Sequence, residues 1–162
     1  MPWANGRGTS YEVARHGETE WSWRVAIAPV VDDGPFSILP GVDRQLVVMD
    51  EAPLEVTVDG VERHVGQGQM LAFAGESLVS ARVPHGPTRD CGVMVRRGVA
   101  SGSMLVASAG SHHGRIVVAI RDSVVESLDE SMVLAPGDAV IADERTSFTV
   151  ESGLVCVIEV AP

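Results

Sequence analysis

The stretch GPFSILPGVDR, residues 34–44, decides how this chain folds. Its two Gly/Pro dipeptides, Gly34-Pro35 and Pro40-Gly41, are turn signals on both sides of a short apolar segment. The residues that follow, 45–49, are Gln-Leu-Val-Val-Met and predict a β-strand. Asp43 and Arg44 therefore lie where the chain enters a strand, and not on a surface helix.

Strand alternation places Arg44 on the same face as Leu46 and Val48. A guanidinium on an apolar strand face needs a carboxylate, a carbonyl or a ligand anion as its partner. Two interpretations follow. Arg44 forms a structural clasp with an aspartate or a backbone carbonyl, or it is an anion-binding arginine inside a β-barrel.

Composition and charge narrow the classes of function. The chain has 162 residues, 45% of them hydrophobic and 21% charged, which is typical of a globular protein of one large or two small domains. The net charge of −10 disfavours nucleic-acid binding. No membrane-length apolar run and no signal-peptide pattern occur, and Cys91 and Cys156 form no CxxC motif. We therefore predict a cytoplasmic protein that binds neither nucleic acid nor membrane, with both cysteines reduced.

The spacing of turn residues predicts an all-β protein, a sandwich or a barrel. The 17 glycines and 9 prolines separate short apolar runs, and no helix longer than two turns is predicted. Residues 21–31 form a strand with Trp23, Val25 and Ile27 on one face. Asp59-Gly60 is a hairpin signal between two further strands.

A repeat of roughly 70 residues is suggested by the sequence. Gly68 and Gly137 each precede a polar residue that opens a strand, and the same offset places Val79 on Phe148. Chance similarity between valine-rich strands is the alternative. On this basis we predict a β unit of roughly 70 residues that is used twice.

Metal and nucleophile motifs are absent from the sequence. The histidines are His16, His64, His85, His112 and His113, and no HxH pair occurs that would place two imidazoles on one strand face. No Gly-x-Ser-x-Gly motif surrounds a serine. We predict no metal and no other cofactor.

An arginine-centred pocket is the remaining candidate for chemistry. It would combine charged, hydrogen-bonding and apolar side chains from strand ends and loops, namely Arg44, Arg96, Asp43, Asp90, Ser37, Asn5, Trp23, Phe36 and Met94. An arginine suits a carboxylate and an aspartate suits a ring N–H, so the set fits a small carboxylate or an imidazole-plus-carboxylate ligand. The structural alternative is that Arg44 and Asp90 pair across two strands.

Several of these residues belong to a pattern that resembles the HutD/Ves family. The similar segments, in the same order as in the family, are residues 2–9, Trp23-Arg24, residues 33–37, residues 40–44, residues 86–90, Val93-Met94 and residues 96–98. The resemblance implies a bicupin, two packed β-barrels from one chain of the RmlC-like cupin type. The first barrel would be residues 1–98, which carry the family motifs, and the second would be residues 99–162, which share strands with the first. Two departures are Arg7 in place of a glycine and Gly92 in place of an asparagine, and the second removes a polar group from the face of Asp90.

The resemblance also implies a function. It predicts a cupin that binds a small anionic metabolite related to histidine, urocanate or formylglutamate and has a regulatory role in amino-acid catabolism. Two alternatives stay open at this point. One is a cupin isomerase or hydrolase with Asp90 or Asp43 as the base, and the other is a structural or protein-interaction module. Homodimer formation is also left open.

Overall fold

The computed structural model describes residues 3–4 and 8–162, and in these residues it contains β-strands and no helix. The all-β prediction is confirmed. The strands are β1 (Tyr11–His16), β2 (Trp23–Val30), β3 (Gly34–Pro35), β4 (Val42–Val48), β5 (Leu54–Val58), β6 (Val61–Val65), β7 (Met70–Ala74), β8 (Val79–Arg82), β9 (Thr88–Arg96), β10 (Ser101–Ala107), β11 (Gly110–Ala119), β12 (Ser123–Ser127), β13 (Glu130–Leu134), β14 (Ala139–Ser152) and β15 (Val155–Ala161).

The chain divides into two compact units, Met1–Ser101 with Pro162, and Gly102–Ala161. The first unit holds a five-stranded sheet of order β1-β2-β9-β4-β7 and a four-stranded sheet of order β3-β8-β5-β6. An apolar cluster joins the two sheets, because alternate side chains of both point toward it. Its buried members are Val30, Leu46, Val48, Leu54, Val56, Val65, Phe73, Val79 and Ala81.

The second unit is built on a six-stranded sheet of order β10-β15-β11-β14-β12-β13. Its own cluster is centred on the fully buried Phe148 with Val117, Val125 and Val157. The sequence predicts two strands in the region of β14, but the structure has one strand of 14 residues. β14 stays continuous because it pairs with β11 on both sides of a bulge at Gly114.

The hairpin predicted at Asp59-Gly60 joins β5 to β6. Both residues have left-handed backbone, with φ of 47° and 84°. This is the conformation that a two-residue hairpin turn requires, and Asp-Gly is a favoured sequence for it.

The stretch 34–44 is fixed at several points by backbone hydrogen bonds. Its first residues form β3, and the Phe36 N–H donates to the Val79 carbonyl over 2.8 Å. Leu39 N–H donates to the Gly75 carbonyl over 2.8 Å, and Gly75 N–H donates to the Val42 carbonyl over 2.6 Å. These bonds hold the segment between β3 and β4 and so position the residues that enter β4.

The part of the chain that the structure describes contains no candidate for a membrane-spanning helix.

Gly75 generates a prediction about stability. A Cβ at this position would overlap the Leu39 carbonyl oxygen and lie 2.7 Å from that of Val42. These are backbone atoms that already hold hydrogen bonds, so Gly75→Ala should lower the free energy of unfolding by roughly 2 kcal/mol or more. Urea denaturation followed by tryptophan fluorescence measures the change.

Gly66→Ala is the matched control for this substitution. Its Cβ would meet only the flexible Gln69 side chain, at 3.4 Å, so the expected loss is under about 1 kcal/mol. Equal effects of the two substitutions would show that the close approach at Gly75 does not fix the loop.

Candidate ligand site in the first unit

A cavity of about 280 Å³ lies in the first unit, on one face of strands β2, β9 and β4. Residues of these strands, of the loop after β3 and of the N-terminal segment surround it. They are Trp3, Ala4, Ser10, Trp21, Arg24, Ala26, Ala28, Val30, Phe36, Ser37, Leu39, Arg44, Gln45, Leu46, Phe73, Asp90, Gly92 and Met94.

The strand register explains why there is space here. The three strands form cross-strand rows on this face, Arg24–Met94–Arg44, Ala26–Gly92–Leu46 and Ala28–Asp90–Val48. Small residues fill much of the second and third rows, so the sheet surface is recessed below the longer side chains of the first row. The first row places a guanidinium on each side of Met94.

Arg44 is held by the loop that the first turn signals define. Its Nη1 donates to the Ser37 carbonyl over 3.0 Å. The guanidinium carbon lies 5.6 Å from the Phe36 ring centre and 5.0 Å from that of Phe73. Burial lowers the pKa of Arg44, an effect that Asp90 opposes and Arg24 reinforces.

The observed contact combines the two interpretations of Arg44. The Ser37 carbonyl provides the structural clasp but uses only part of the donor capacity of a guanidinium. In the described part of the chain, no ion pair joins Arg44 to Asp90. Arg44 is therefore oriented by the protein and still has N–H groups for an anion.

Asp90 is the acid of the cavity and is only 7% exposed. Burial raises its pKa to about 7, and the nearby Arg44 only partly offsets this effect. Near neutral pH the side chain is therefore divided between its acid and its carboxylate, so it is able to donate or accept a hydrogen bond.

Trp21 forms a wall of the cavity and is held by Arg96. Arg96 Nε donates to the Trp21 carbonyl over 2.6 Å, and its guanidinium carbon lies 5.1 Å from the indole ring. Arg24 also approaches this ring, at 5.9 Å. These are cation–π distances that favour a fixed indole orientation.

Five of the predicted site residues line the same cavity, namely Phe36, Ser37, Arg44, Asp90 and Met94. Asn5 lies outside the described residues.

Three further predicted residues lie elsewhere. Asp43 is on the opposite face of β4 and bonds Arg97 over 2.7 Å on the surface. Trp23 is on the face of β2 opposite to the cavity, is only 3% exposed, and stacks with His16 at 6.3 Å. Arg96 shares the strand face of Asp90, as predicted, but its guanidinium binds the backbone behind Trp21 and does not reach the cavity.

Arg24 is the main residue that the site prediction missed. It lies between Trp23 and Val25, and the residue of β2 that the sequence analysis assigned to the site was Trp23, on the opposite strand face. The available signal was the size of the alternate residues, because Ala26 and Ala28 follow Arg24 on that face and leave room above the strand. Trp3, Trp21 and Phe73 were also missed, since loop geometry and sheet pairing bring them to the cavity.

The described residues include no group of three or more histidine, cysteine, aspartate or glutamate side chains arranged to hold a metal ion. His112 and His113 face Phe148 and Ser147 of the next strand and alternate between the two faces of the sheet.

The fold places the chain in a class of all-β, cupin-like proteins. A cupin 2 barrel protein from Leptotrichia buccalis is similar over 99% of this chain and 90% of its own, with a TM-score of 0.61 at 8% identity. That level of identity supports the fold alone.

Sequence and structure comparisons then specify the family. The family model described as HutD matches residues 1–157, and the chain belongs to the HutD family. HutD from Pseudomonas fluorescens SBW25, in a structure titled as a formate condition, is 29% identical and covers 99% of this chain and 92% of its own, with a TM-score of 0.82. A conserved protein of unknown function from Pseudomonas aeruginosa PAO1 is 25% identical over 100% of this chain and 93% of its own, with a TM-score of 0.84.

Curated relatives match over part of their length. An uncharacterized 21.2 kDa protein in the hutC 3′ region of Pseudomonas putida is 35% identical over 56% of this chain. Protein Ves of Cronobacter sakazakii is 30% identical over 70% of this chain. The matches span 50% and 64% of these two relatives. The resemblance to the HutD/Ves family noted in the sequence is confirmed.

Asp90 generates a prediction about pH. Its pKa is raised from 3.8 to about 7 on folding, so between these values the folded state keeps a proton that the unfolded state releases. The contribution of Asp90 to the free energy of unfolding therefore falls as pH rises from about 4 to about 7, with a slope approaching about 1.4 kcal/mol per pH unit. Above pH 7 this contribution no longer changes with pH.

Asp90→Asn should remove this decrease of stability with pH. Urea denaturation at several pH values should show the variant gaining stability relative to wild type as pH rises through that window. Asp32→Asn, at an exposed position, is the control and should follow the wild-type curve. If the free energies of unfolding of wild type and Asp90→Asn followed parallel curves against pH, they would contradict the raised pKa of Asp90.

Proposed function

We propose that this HutD-family chain binds a small carboxylate metabolite in the cavity of the first unit, with Arg44 as the anchor and no metal. The observation that carries the proposal is the position of the Arg44 guanidinium. It is oriented by the Ser37 carbonyl, lies against two aromatic rings and faces about 280 Å³ of space. A partly buried cation with unused donors in an apolar pocket is stabilised by an anion.

The other walls limit the ligand to a small, partly apolar acid. Phe36, Phe73 and Met94 offer apolar contact, and Asp90 offers one hydrogen-bonding group deep in the cavity. An imidazole-bearing acid would place its carboxylate on Arg44 and a ring N–H on Asp90. Urocanate and histidine fit this arrangement, and formylglutamate would use its amide N–H in the same way.

A regulatory role in amino-acid catabolism is the second part of the proposal. The names of two relatives, HutD and the protein of the hutC 3′ region, connect the family with histidine utilisation. A binder of a pathway acid would report the level of that acid to a partner. We propose the second unit as a second cupin barrel of the same chain and the cytoplasm as the location. Cys91 and Cys156 are both buried and are not joined in a disulfide, which agrees with a reducing compartment.

One observation favours the alternative of an enzyme. A cavity carboxyl with a pKa of about 7 is suited to general-base catalysis near neutral pH. Asp90 would be that base, because Asp43 lies on the other face of β4. Under this alternative, deuterium from D₂O should enter a carbon-bound position of urocanate or histidine during incubation, and Asp90→Asn should abolish that exchange. A binding protein leaves the carbon-bound hydrogens of both compounds unexchanged.

Titration calorimetry with formate, urocanate, histidine and formylglutamate tests the proposal. At least one of these acids should bind, and Arg44→Ala should weaken it by about 10- to 100-fold, the value of a charge-assisted hydrogen-bond pair. Arg145→Ala is the control because it also removes an arginine, one whose surface ion pair with Glu159 lies in the second unit. Binding that survives Arg44→Ala would reject Arg44 as the anchor, and the absence of any binding would reject the function.

Removal of metal separates the proposal from a metal-dependent cupin. Because Arg44 supplies the charge for the acid, treatment with EDTA should leave the affinity unchanged within about twofold. A stoichiometric transition metal in the purified protein, with loss of binding on its removal, would contradict the proposed mode of recognition.

A further inference from the structure

Strand β13 forms one end of the six-stranded sheet in the second unit, so one of its edges is not paired within that sheet. A two-residue turn joins it to β12, which makes Ser127 and Glu130 a hydrogen-bonded pair. Bonded and non-bonded pairs alternate along antiparallel strands, so Ser131 and Val133 direct their N–H and C=O groups away from β12. The edge of β13 therefore presents backbone donors and acceptors in the arrangement that a further strand requires.

The first unit contains a matching hairpin whose edge is protected. The repeat offset noted in the sequence places β5 on β12 and β6 on β13, residue for residue. At the outward positions β6 has Glu62 and His64, whereas β13 has Ser131 and Val133. Charged side chains on an edge strand discourage pairing with another chain, and β13 lacks them where they would act. Instead it carries a valine that is 82% exposed.

The turn of the β12–β13 hairpin is strained and apolar. Leu128 and Asp129 have φ of 52° and 64°, in the left-handed region that Asp59 and Gly60 adopt in the first hairpin. A leucine is disfavoured in this conformation because its Cβ crowds the neighbouring carbonyl oxygen. Leu128 is also 82% exposed, so its side chain gains little burial within the chain. Strain that is not repaid by packing points to a contact outside the chain.

The charges of the hairpin indicate the chemistry of that contact. Residues 123–134 contain three acids, Glu126, Asp129 and Glu130, and no lysine, arginine or histidine. Glu126 is paired with Ser131, so one acid lies on the same sheet face as the outward residues of β13. A basic segment is attracted to this edge, whereas a second copy of the chain, with the same acids and a net charge of −10, is repelled.

We infer that the free edge of β13, together with Leu128, is a docking site for an extended segment of a partner protein in which apolar and basic side chains alternate. The segment adds a strand to the sheet and bonds the backbone of Ser131 and Val133. An apolar side chain lies beside Val133 and its cross-strand neighbour Val124, and a basic one lies near Glu126. The site belongs to the second unit, so the inference stands whether or not an acid binds in the first.

A capped peptide of about ten residues, alternating lysine and valine, is the probe, and its glutamate–valine counterpart is the matched control. Titration calorimetry on the wild-type protein should give an affinity at least about tenfold higher for the lysine peptide. Hydrogen exchange should be slowed at the amides of Ser131 and Val133 by at least about tenfold when that peptide is bound. Absence of binding, equal affinities for the two peptides, or unchanged exchange at both amides would overturn the inference.

Val133→Pro tests the backbone contact. It removes one outward N–H and keeps the pairing with β12, because this N–H does not bond to β12. The affinity for the lysine peptide should fall by about tenfold or more. Val133→Thr is the matched control, since it keeps the N–H and the branched shape, and it should change the affinity by less than about threefold. Wild-type affinity in Val133→Pro would place the peptide elsewhere on this acidic protein and overturn the site. If Val133→Pro does not fold, hydrogen exchange on the wild-type protein decides.

Leu128→Asn tests the turn independently. Asparagine accepts the left-handed conformation, so the midpoint of thermal unfolding should rise by about 2–4 °C. The lysine peptide should nevertheless bind at least about threefold more weakly, because an exposed apolar contact is lost. A rise in stability with unchanged affinity would remove Leu128 from the site and contradict that part of the inference. Sedimentation of the wild-type protein as a dimer that Val133→Pro dissociates would assign the edge to a second copy and overturn the basic partner.

Discussion

The site depends on one interaction, the hydrogen bond from the Arg44 guanidinium to the Ser37 carbonyl. Arg44 lies near the start of β4 with its side chain on the inner face, and Ser37 lies in the loop that precedes this strand. The loop is tied in turn to Gly75 and Val79 by backbone hydrogen bonds. As a result the cation is fixed before any ligand arrives, which lowers the ordering cost of binding. The aromatic rings of Phe36 and Phe73 lie beside the guanidinium and make its surroundings less polar, which strengthens electrostatic interactions there.

The charge balance of the cavity is unusual for this acidic chain. The protein carries a net charge of −10, yet its first-unit cavity contains two guanidinia. Their carboxylate neighbours are Asp90, which burial keeps partly protonated near neutral pH, and Glu12, which is too far from Arg24 for a hydrogen bond. The cavity is therefore a local region of positive charge in an acidic protein, a distribution that supports the proposed anionic ligand at this site.

Much of the fold could be predicted from the sequence because local rules control it. The turn residues of the stretch 34–44, the Asp-Gly hairpin and strand alternation predicted the strands and the inward direction of Arg44. The site was predicted only in part. Alternation places Arg96 and Asp90 on one face, as observed, but it cannot show that the Arg96 guanidinium bends to the Trp21 carbonyl. From β2 the site prediction selected Trp23, whereas the residue of β2 that lines the cavity at this level is Arg24, on the opposite face. Which face of a strand meets a cavity depends on long-range sheet pairing.

The family match supports the cupin-like fold, and the arginine-centred site is our proposal; a crystal structure of the protein with urocanate bound tests this account most directly. The account predicts density for the acid in the first-unit cavity, with its carboxylate within about 3 Å of the Arg44 guanidinium and the Ser37 contact retained. A urocanate bound elsewhere on the chain, or an Arg44 side chain turned out into solvent in that crystal, would contradict it.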